Sequence, residues 1–534
     1  MENAVRRSII AVSLAFLVVA GCAGPAAQPQ GGVASKPLSL AVPHLGEPKS
    51  LNPNWQADPG TYYPSNQIYS HLVILDWGVT QGTAAYGDLA KDWVISPDGK
   101  TYTFNLRTGV TWHDGKPFTS ADVVYTFKTI QDKKYPLADY LAGAVVSAPD
   151  DKTVVIQLPQ PNTAFVPLLA QASNWYGAIL PKHIYENTDW ATNPANQNPV
   201  GTGPFRFVSW DRGSQLTVKA NPSYFQAPPQ LSTLVFQFVS DPQVVMAGFK
   251  SGLYDFVTSD FLPNFAEIKQ LKDAGGDSIV VETDQIYDTC LYLNLRNPIL
   301  ADLKVRQALA LGIDREALSQ QAFSGLFPPN YNAGITSMGA YLNKSAQFPR
   351  RDLAKAKALL DQAGYPVKAD GTRFKLRLNS YPLPRTKNAA EILVQQLKAM
   401  EIDATWTQYD AATWLTKAKA GEYDLNTYFV RYGPDPAAYA EHFGTNAPRN
   451  FTGYSNKEVD QWLTDASAIT DPAKRKALYD KVQQRIVDDI PYLELVEIKT
   501  FSLLRKGWTG FSYTRDGFDK SMSWFGYYNV RRTN

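Results

Sequence analysis

Residues 89–127 leave the backbone few choices. Tyr102, Phe104 and Leu106 alternate with Thr103, Asn105 and Arg107, the period-two pattern of a strand with one buried face. Asp98-Gly99 and Asp114-Gly115 flank that strand with residues that tolerate a left-handed turn. Thr119, followed three residues later by Asp122, predicts a helix start, and Val123, Val124 and Phe127 give that helix an apolar face. A turn, a strand, a turn and a helix place the chain among α/β proteins. Taken alone they say nothing of function.

With 534 residues, the chain has room for about two to four folding units. Aromatic residues at 12% and charged residues at 19% exclude a disordered chain. A net charge of +2 supplies no broad attraction to nucleic acid, so no nucleic-acid partner is expected.

Arg6 and Arg7 precede an apolar run from Ile9 to Ala20, which is too short to span a bilayer comfortably and reads as a signal peptide over residues 1–21. Leu17-Val-Val-Ala-Gly-Cys22 resembles a bacterial lipobox, with Cys22 as the lipidated first residue of the mature chain; a plain secretory signal cut elsewhere is the alternative. Residues 22–37, rich in Ala, Gly, Pro, Gln and Ser, have the composition of a flexible tether. No later segment approaches 18 uninterrupted apolar residues, so no transmembrane span is expected. With Cys22 lipidated, Cys290 has no intrachain partner, and its strand-like surroundings predict a buried structural thiol.

Further on, Leu38–Val42 reads as a first strand leading into His44-Leu-Gly-Glu-Pro-Lys-Ser-Leu-Asn-Pro53, and Lys152–Leu158 as another strand. Gly201-Thr-Gly203 looks like a phosphate loop, but Pro204 and the strand after it argue against a cradle that needs free amides at a helix start. From Leu291 the texture turns helical. Asp302, Asp352 and Asp471-Pro472 offer helix caps, Gly364 a helix stop, and Ile392, Leu393, Leu397 and Met400 an amphipathic face with strands expected on either side.

Several stretches also carry a family likeness. Leu89-Ala-Lys-Asp-Trp93, Ser96-Pro-Asp-Gly-Lys-Thr-Tyr-Thr-Phe-Asn-Leu-Arg107 and Trp112-His-Asp-Gly-Lys-Pro-Phe118 resemble the signature block of the family 5 extracellular solute-binding proteins, ligand receptors of dipeptide, oligopeptide and nickel ABC importers. Leu51-Asn-Pro53, Gly201-Thr-Gly-Pro-Phe205, Lys304-Val-Arg-Gln-Ala-Leu-Ala310 and Asp489-Ile-Pro-Tyr492 follow in the family's order. The resemblance implies an α/β, two-lobed, periplasmic-binding-protein-like fold of type II with an inserted subdomain. Lobe I is then expected over 38–65, 200–287 and 500–534, the inserted subdomain over 66–199, and lobe II over 288–499. The crossings between lobes are expected near Tyr287 to Leu291 and Val496 to Phe501.

The resemblance also implies a monomeric receptor that captures a small solute or peptide in an interlobe cleft. It would hand the solute to permease subunits with a separate ATPase, outside the cytoplasm and held to the membrane by the lipid on Cys22. One wall of the cleft is expected at Gly46 and Glu47. The other is expected in Asn426–Pro436, with Phe429, Val430, Arg431, Tyr432 and Asp435, supported by Trp414 and by Arg385 ahead of the helix with Leu393.

In that second wall the sequence departs from the peptide-receptor pattern. Where those receptors place an aspartate for the peptide's α-ammonium group, counting back from Asp435-Pro436 finds Tyr432, with Arg431 at a small-residue position. A buried cation without its carboxylate is costly, which argues against the usual hold on a peptide's free N-terminus. With Arg431 facing the cleft, an anionic or carboxylate-bearing ligand is expected, held by bidentate contacts. A non-peptide solute such as an oligosaccharide, an anionic conjugate or a metal chelate is the second reading, for uptake or for sensing.

No enzyme chemistry is expected, and no catalytic residue, cofactor or metal ligand is assigned. His44, His71, His113, His183 and His442 are scattered without metal-ligand spacing. A secreted hydrolase using two distant carboxylates is the remote alternative.

Overall fold

The computed structural model describes residues 38–44, 46–55, 59–75, 85–172, 175–258, 264–276, 278–430, 435–511 and 527–533. The signal segment, Cys22 and the tether, and Arg431 and Tyr432 of the expected second wall, lie outside the described residues.

The block around Phe104 folds as its pattern dictates. Thr101–Leu106 is a strand whose Tyr102, Phe104 and Leu106 are buried. It sits second in an antiparallel sheet ordered Ala90–Ile95, Thr101–Leu106, Thr153–Gln157, Val145–Asp150. Gly99 and Gly115 take the positive φ angles, 68° and 88°, that the turns require. Thr119 caps the helix Ser120–Lys133, and the Asp122 carboxylate accepts the Thr119 N–H at 3.0 Å.

A second sheet joins Ser39–His44 in parallel to Thr233–Phe238, then Gln215–Ala220 and Phe205–Asp211 antiparallel. Gly201-Thr-Gly203 leads into its last strand as a packing device. A Cβ on Gly201 would lie 1.9 Å from the Ile68 carbonyl oxygen, so the backbone of the helix Pro59–Ile68 can come this close only to glycine. The His113 ring spans the same two glycines, Nδ1 accepting the Gly201 N–H at 3.3 Å and Nε2 donating to the Gly203 carbonyl at 3.0 Å. Burial pushes its pKa down to about 4, so the imidazole is a neutral strut at pH 7.

The largest sheet has six strands in the order Phe256–Val257, Tyr492–Arg505, Ser278–Leu293, Leu425–Tyr428, Phe374–Ser380, Ile402–Gln408. Ser278–Leu293 and Tyr492–Arg505 pair antiparallel along most of their length, with register shifts between Asp284 and Asp288 and between Thr289 and Cys290. One hydrophobic core gathers residues between Leu40 and Phe256 together with Leu504, Trp508, Phe511, Tyr527 and Val530. Another gathers residues between Ile268 and Phe501, Cys290 among them as a buried free thiol. The long strand Tyr492–Arg505 contributes to both, Leu504 to the first and Tyr492, Leu493, Leu495 and Val496 to the second, whereas the described side chains of Ser278–Leu293 pack, of these two, in the second.

The predicted caps fall in place. Asp302, Asp352 and Asp471 accept backbone N–H groups at the starts of Leu303–Gly312, Leu353–Gln362 and Pro472–Asp489. The amphipathic helix around Leu393 is Pro384–Ala399, between Phe374–Ser380 and Ile402–Gln408. Among the described residues no helix is long and apolar enough to cross a membrane.

Candidate functional site

The six-stranded sheet contains a point where its winding reverses. From Phe374–Ser380 the chain crosses through the helix Pro384–Ala399 to Ile402–Gln408 on one side. It then returns through Ala411–Ala420 to Leu425–Tyr428 on the other. Both neighbours run parallel to Phe374–Ser380. Crossovers leaving in opposite directions open a crevice at the carboxyl ends of such strands, the usual place for a ligand in an open α/β sheet. Residues 381–385 and Phe429 and Val430 emerge there.

Four aromatic residues cluster at these strand ends. The Tyr428 ring stacks between Trp414, 4.2 Å away between centroids, and Phe429, 4.1 Å away. Tyr381 meets Trp414 and Phe429 edge-on, at 5.2 and 6.1 Å. Trp414 is fully buried, and its indole N–H donates to Asn426 Oδ1 at 2.8 Å. Phe429 is half-buried, and the Arg385 guanidinium lies 5.5 Å over its ring. Arg385 is the second residue of the helix Pro384–Ala399, so the crossover itself carries a cation to the strand end.

The expected site residues therefore separate into groups. Arg385 and Phe429 come together, with Trp414 behind them as packing. Val430 is fully buried, and its backbone exchanges hydrogen bonds with Asp288, both at 3.3 Å.

Asp435 is taken up inside the protein. Its Oδ2 and Oδ1 accept from Arg475 Nη1 and Nη2 at 2.5 and 2.7 Å, in a pair almost closed to solvent. Burial opposes the Arg475 charge, but the facing carboxylate outweighs it and the guanidinium pKa rises. Glu47 is also held, accepting from the Trp210 indole at 3.0 Å, Arg212 at 3.3 Å and the Gly213 N–H at 3.1 Å. Gly46 beside it is exposed, at a φ of 82°.

Sequence reasoning passed over Asp288 and Arg475. Asp288 is fully buried, and desolvation raises its pKa well above the carboxylate range, with the Val430 N–H opposing and Glu497 reinforcing the rise. Burial thus favours the neutral form of this acid beside Val430. An acidic residue inside the apolar run Tyr287-Asp-Thr-Cys-Leu-Tyr-Leu293 was the available signal. Arg475 had none, because its partner stands 40 residues away. Among the described residues, no group of three or more His, Cys, Asp or Glu side chains is placed to hold a metal ion.

The comparisons with known proteins agree with this architecture. The Escherichia coli dipeptide-binding protein is 28% identical over 499 residues, covering 87% of this chain and 90% of that protein. Among solved structures, the ABC transporter substrate-binding protein CtaP of Listeria monocytogenes superposes with a TM-score of 0.81 at 24% identity, over 93% of this chain and all of that one. AgaA of A. tumefaciens R10, solved with agropinic acid, superposes with a TM-score of 0.71 at 26% identity, over 93% and 99% of the two chains. The fold is thus the mixed α/β, type II architecture of periplasmic solute-binding proteins. The sequence profile of the middle region of the bacterial extracellular solute-binding proteins, family 5, matches residues 84–451. With most of its length inside that profile, the chain belongs to this family and is a substrate-binding protein of ABC transport.

Proposed function

We propose that the protein captures oligopeptides or peptide-like solutes in a cleft between two lobes and delivers them, chemically unchanged, to a membrane permease driven by a separate ATPase. Lobe I comprises 38–65, 200–287 and 500–534, with 66–199 inserted, and lobe II comprises 288–499. The receptor is a monomer held outside the cytoplasm by a lipid on Cys22. The observation that carries this reading is the crevice at the ends of Phe374–Ser380 and Leu425–Tyr428, where Arg385 and Phe429 meet. In support, two separate cores share the long strand Tyr492–Arg505, which pairs with Ser278–Leu293, a construction in which two bodies can rock about a common strand.

A second reading, a non-peptide anionic solute, is favoured by the same wall. Arg385 is its cation, Arg431 in the neighbouring segment adds another, and the Asp435 carboxylate already belongs to Arg475. A structural relative with agropinic acid bound points the same way.

Native mass spectrometry of protein purified without refolding tests both readings. A retained peptide supports the first, and a retained non-peptide acid the second. Incubation with peptides and oligosaccharides then tests the receptor class itself: stoichiometric retention is expected, and catalytic turnover would overturn it in favour of a secreted hydrolase. Arg385→Ala is expected to weaken the retained ligand by about 1.5–3 kcal/mol, the scale of a charged hydrogen bond. Unchanged affinity in calorimetry would remove Arg385 from the site.

A further inference from the structure

Away from the crevice, the two cores meet through a small polar contact. Thr163 lies just ahead of the helix Phe165–Ala172, which packs in the first core. Its backbone N–H and its hydroxyl both donate to the Ser467 carbonyl, at 2.9 and 3.2 Å. Ser467 stands in the last turn of the helix Lys457–Ala468, which packs in the other core. Carbonyls in a last helical turn have no partner within the helix and carry the negative end of its dipole. Donors from outside are therefore worth more here than along the helix.

The neighbouring carbonyl, that of Ala466, accepts from Arg475 Nε at 3.1 Å. This is the same guanidinium that grips both oxygens of Asp435. The rings of Tyr341 and Tyr479 lie 5.5 and 5.3 Å from it and fix its plane. Asp435 in turn follows residues 429–434 and accepts the Ala437 N–H at 2.9 Å. A planar fork thus ties the end of the proposed ligand segment to the helix terminus that the first core grips.

On the first-core side the contact is equally well held. The Asn162 N–H donates to the Gly99 carbonyl at 3.2 Å, and the Ala164 N–H to Asn162 Oδ1 at 3.1 Å. The Tyr102 hydroxyl donates to the Asn162 carbonyl and lies within electrostatic reach of Arg475. Each element from Asp435 to Gly99 thus has partners besides the Thr163–Ser467 contact.

We propose that Thr163 on Ser467 is a closure latch and that Arg475 is the positioning residue that couples it to Asp435. The proposal rests on the two-lobe reading above. A contact made only when the lobes meet biases the open and closed populations by its own free energy, with or without a ligand. Because Arg475 holds Asp435 and the end of Lys457–Ala468 together, its fork also sets the carbonyl that Thr163 must reach. Lysine, a point charge without a fork, cannot make the three contacts at once.

The test needs no ligand. In the full chain carrying Cys22→Ser, spin labels are placed through Lys128→Cys and Lys398→Cys, both exposed and on helices of different cores, while Cys290 is buried. Pulsed electron-spin distance distributions are recorded for this parent and with Thr163→Ala, Arg475→Lys or both added. Each substitution is expected to raise the open-to-closed ratio, by about threefold for Thr163→Ala at an unchanged melting temperature, as one lost hydrogen bond implies. The pair together is expected to do no more than Arg475→Lys alone, the sign of a shared path.

Two populations whose ratio ignores both substitutions would overturn the latch and leave two-lobe motion standing. A single fixed distance in the parent and all variants would overturn both. Should Arg475→Lys fail to fold, Thr163→Ala decides by itself.

Discussion

The sheet around Phe104 and the strand ends around Phe429 are both rich in aromatic residues, yet they hold their shape by different means. In the first, contacts are short in sequence and repeat a simple period: Tyr102, Phe104 and Leu106 point inward, and glycines turn the chain at each end. In the second, the important partners come from far along the chain. Asp288 meets Val430, Arg385 meets Phe429, and Arg475 meets Asp435. Local rules suffice to build the first region, and changes there should cost stability alone. Distant partners shape the second, so changes there should alter stability and ligand retention together.

Removing Asp435 breaks that contrast most severely. Asp435→Ala leaves the Arg475 guanidinium buried without its carboxylate, a loss of about 3–5 kcal/mol on the usual scale for a broken buried pair. Urea unfolding measures the stability, and native mass spectrometry the retained ligand; both are expected to fall. Adding Arg475→Met should recover most of the stability, since an apolar pair of similar volume replaces the charges, but not the retention.

Asp88 makes the same comparison within the first region. Its Oδ2 accepts the His71 N–H at 2.7 Å, and burial lifts its pKa to about 7, with that N–H and Arg107 pulling the other way. A carboxyl with a raised folded-state pKa binds its proton more tightly folded than unfolded. Its contribution is therefore complete below the unfolded pKa and is lost as pH rises through about 7. The advantage of Asp88→Asn over the parent should thus grow between pH 4 and 7, by at most about 4 kcal/mol, and level off above. Urea titrations across that range check it, and a constant difference would mean that Asp88 stays charged. His71 and His113, pushed down by burial to about 3 and about 4, work in the opposite sense in parent and variant alike and cancel in the difference.

These two regions also mark how far the amino-acid sequence can be read unaided. Alternation, glycine turns and aspartate caps announced the strand at Thr101, the helix at Ser120 and the helices at Leu303, Leu353 and Pro472, because each is decided within a few residues. Phe429 and Arg385 were named as candidates only through the family likeness. The fates of Asp435 and Glu47 were not legible at all. Their partners Arg475 and Trp210 stand 40 and 163 residues away, and no local pattern selects one arginine or one tryptophan among many. The Gly201-Thr-Gly203 signal had a packing cause, the 1.9 Å approach to Ile68 that only glycine permits.

The smallest expected effect gives the cleanest separation. Asp122 is buried in the first region, where Oδ2 accepts the Thr119 N–H at 3.0 Å and Oδ1 the Lys182 N–H at 2.9 Å. It thus caps one helix and fixes the start of another. Asp122→Ala leaves those two donors without partners, at a cost of about 2 kcal/mol. None of the charged groups of the crevice takes part in these bonds, so ligand retention per folded molecule should stay at the parent level while the urea midpoint drops. If retention fell as well, the sheet around Phe104 would have to shape the binding region through more than its own folding, and the Thr163 contact on Ser467 would be the first route to examine.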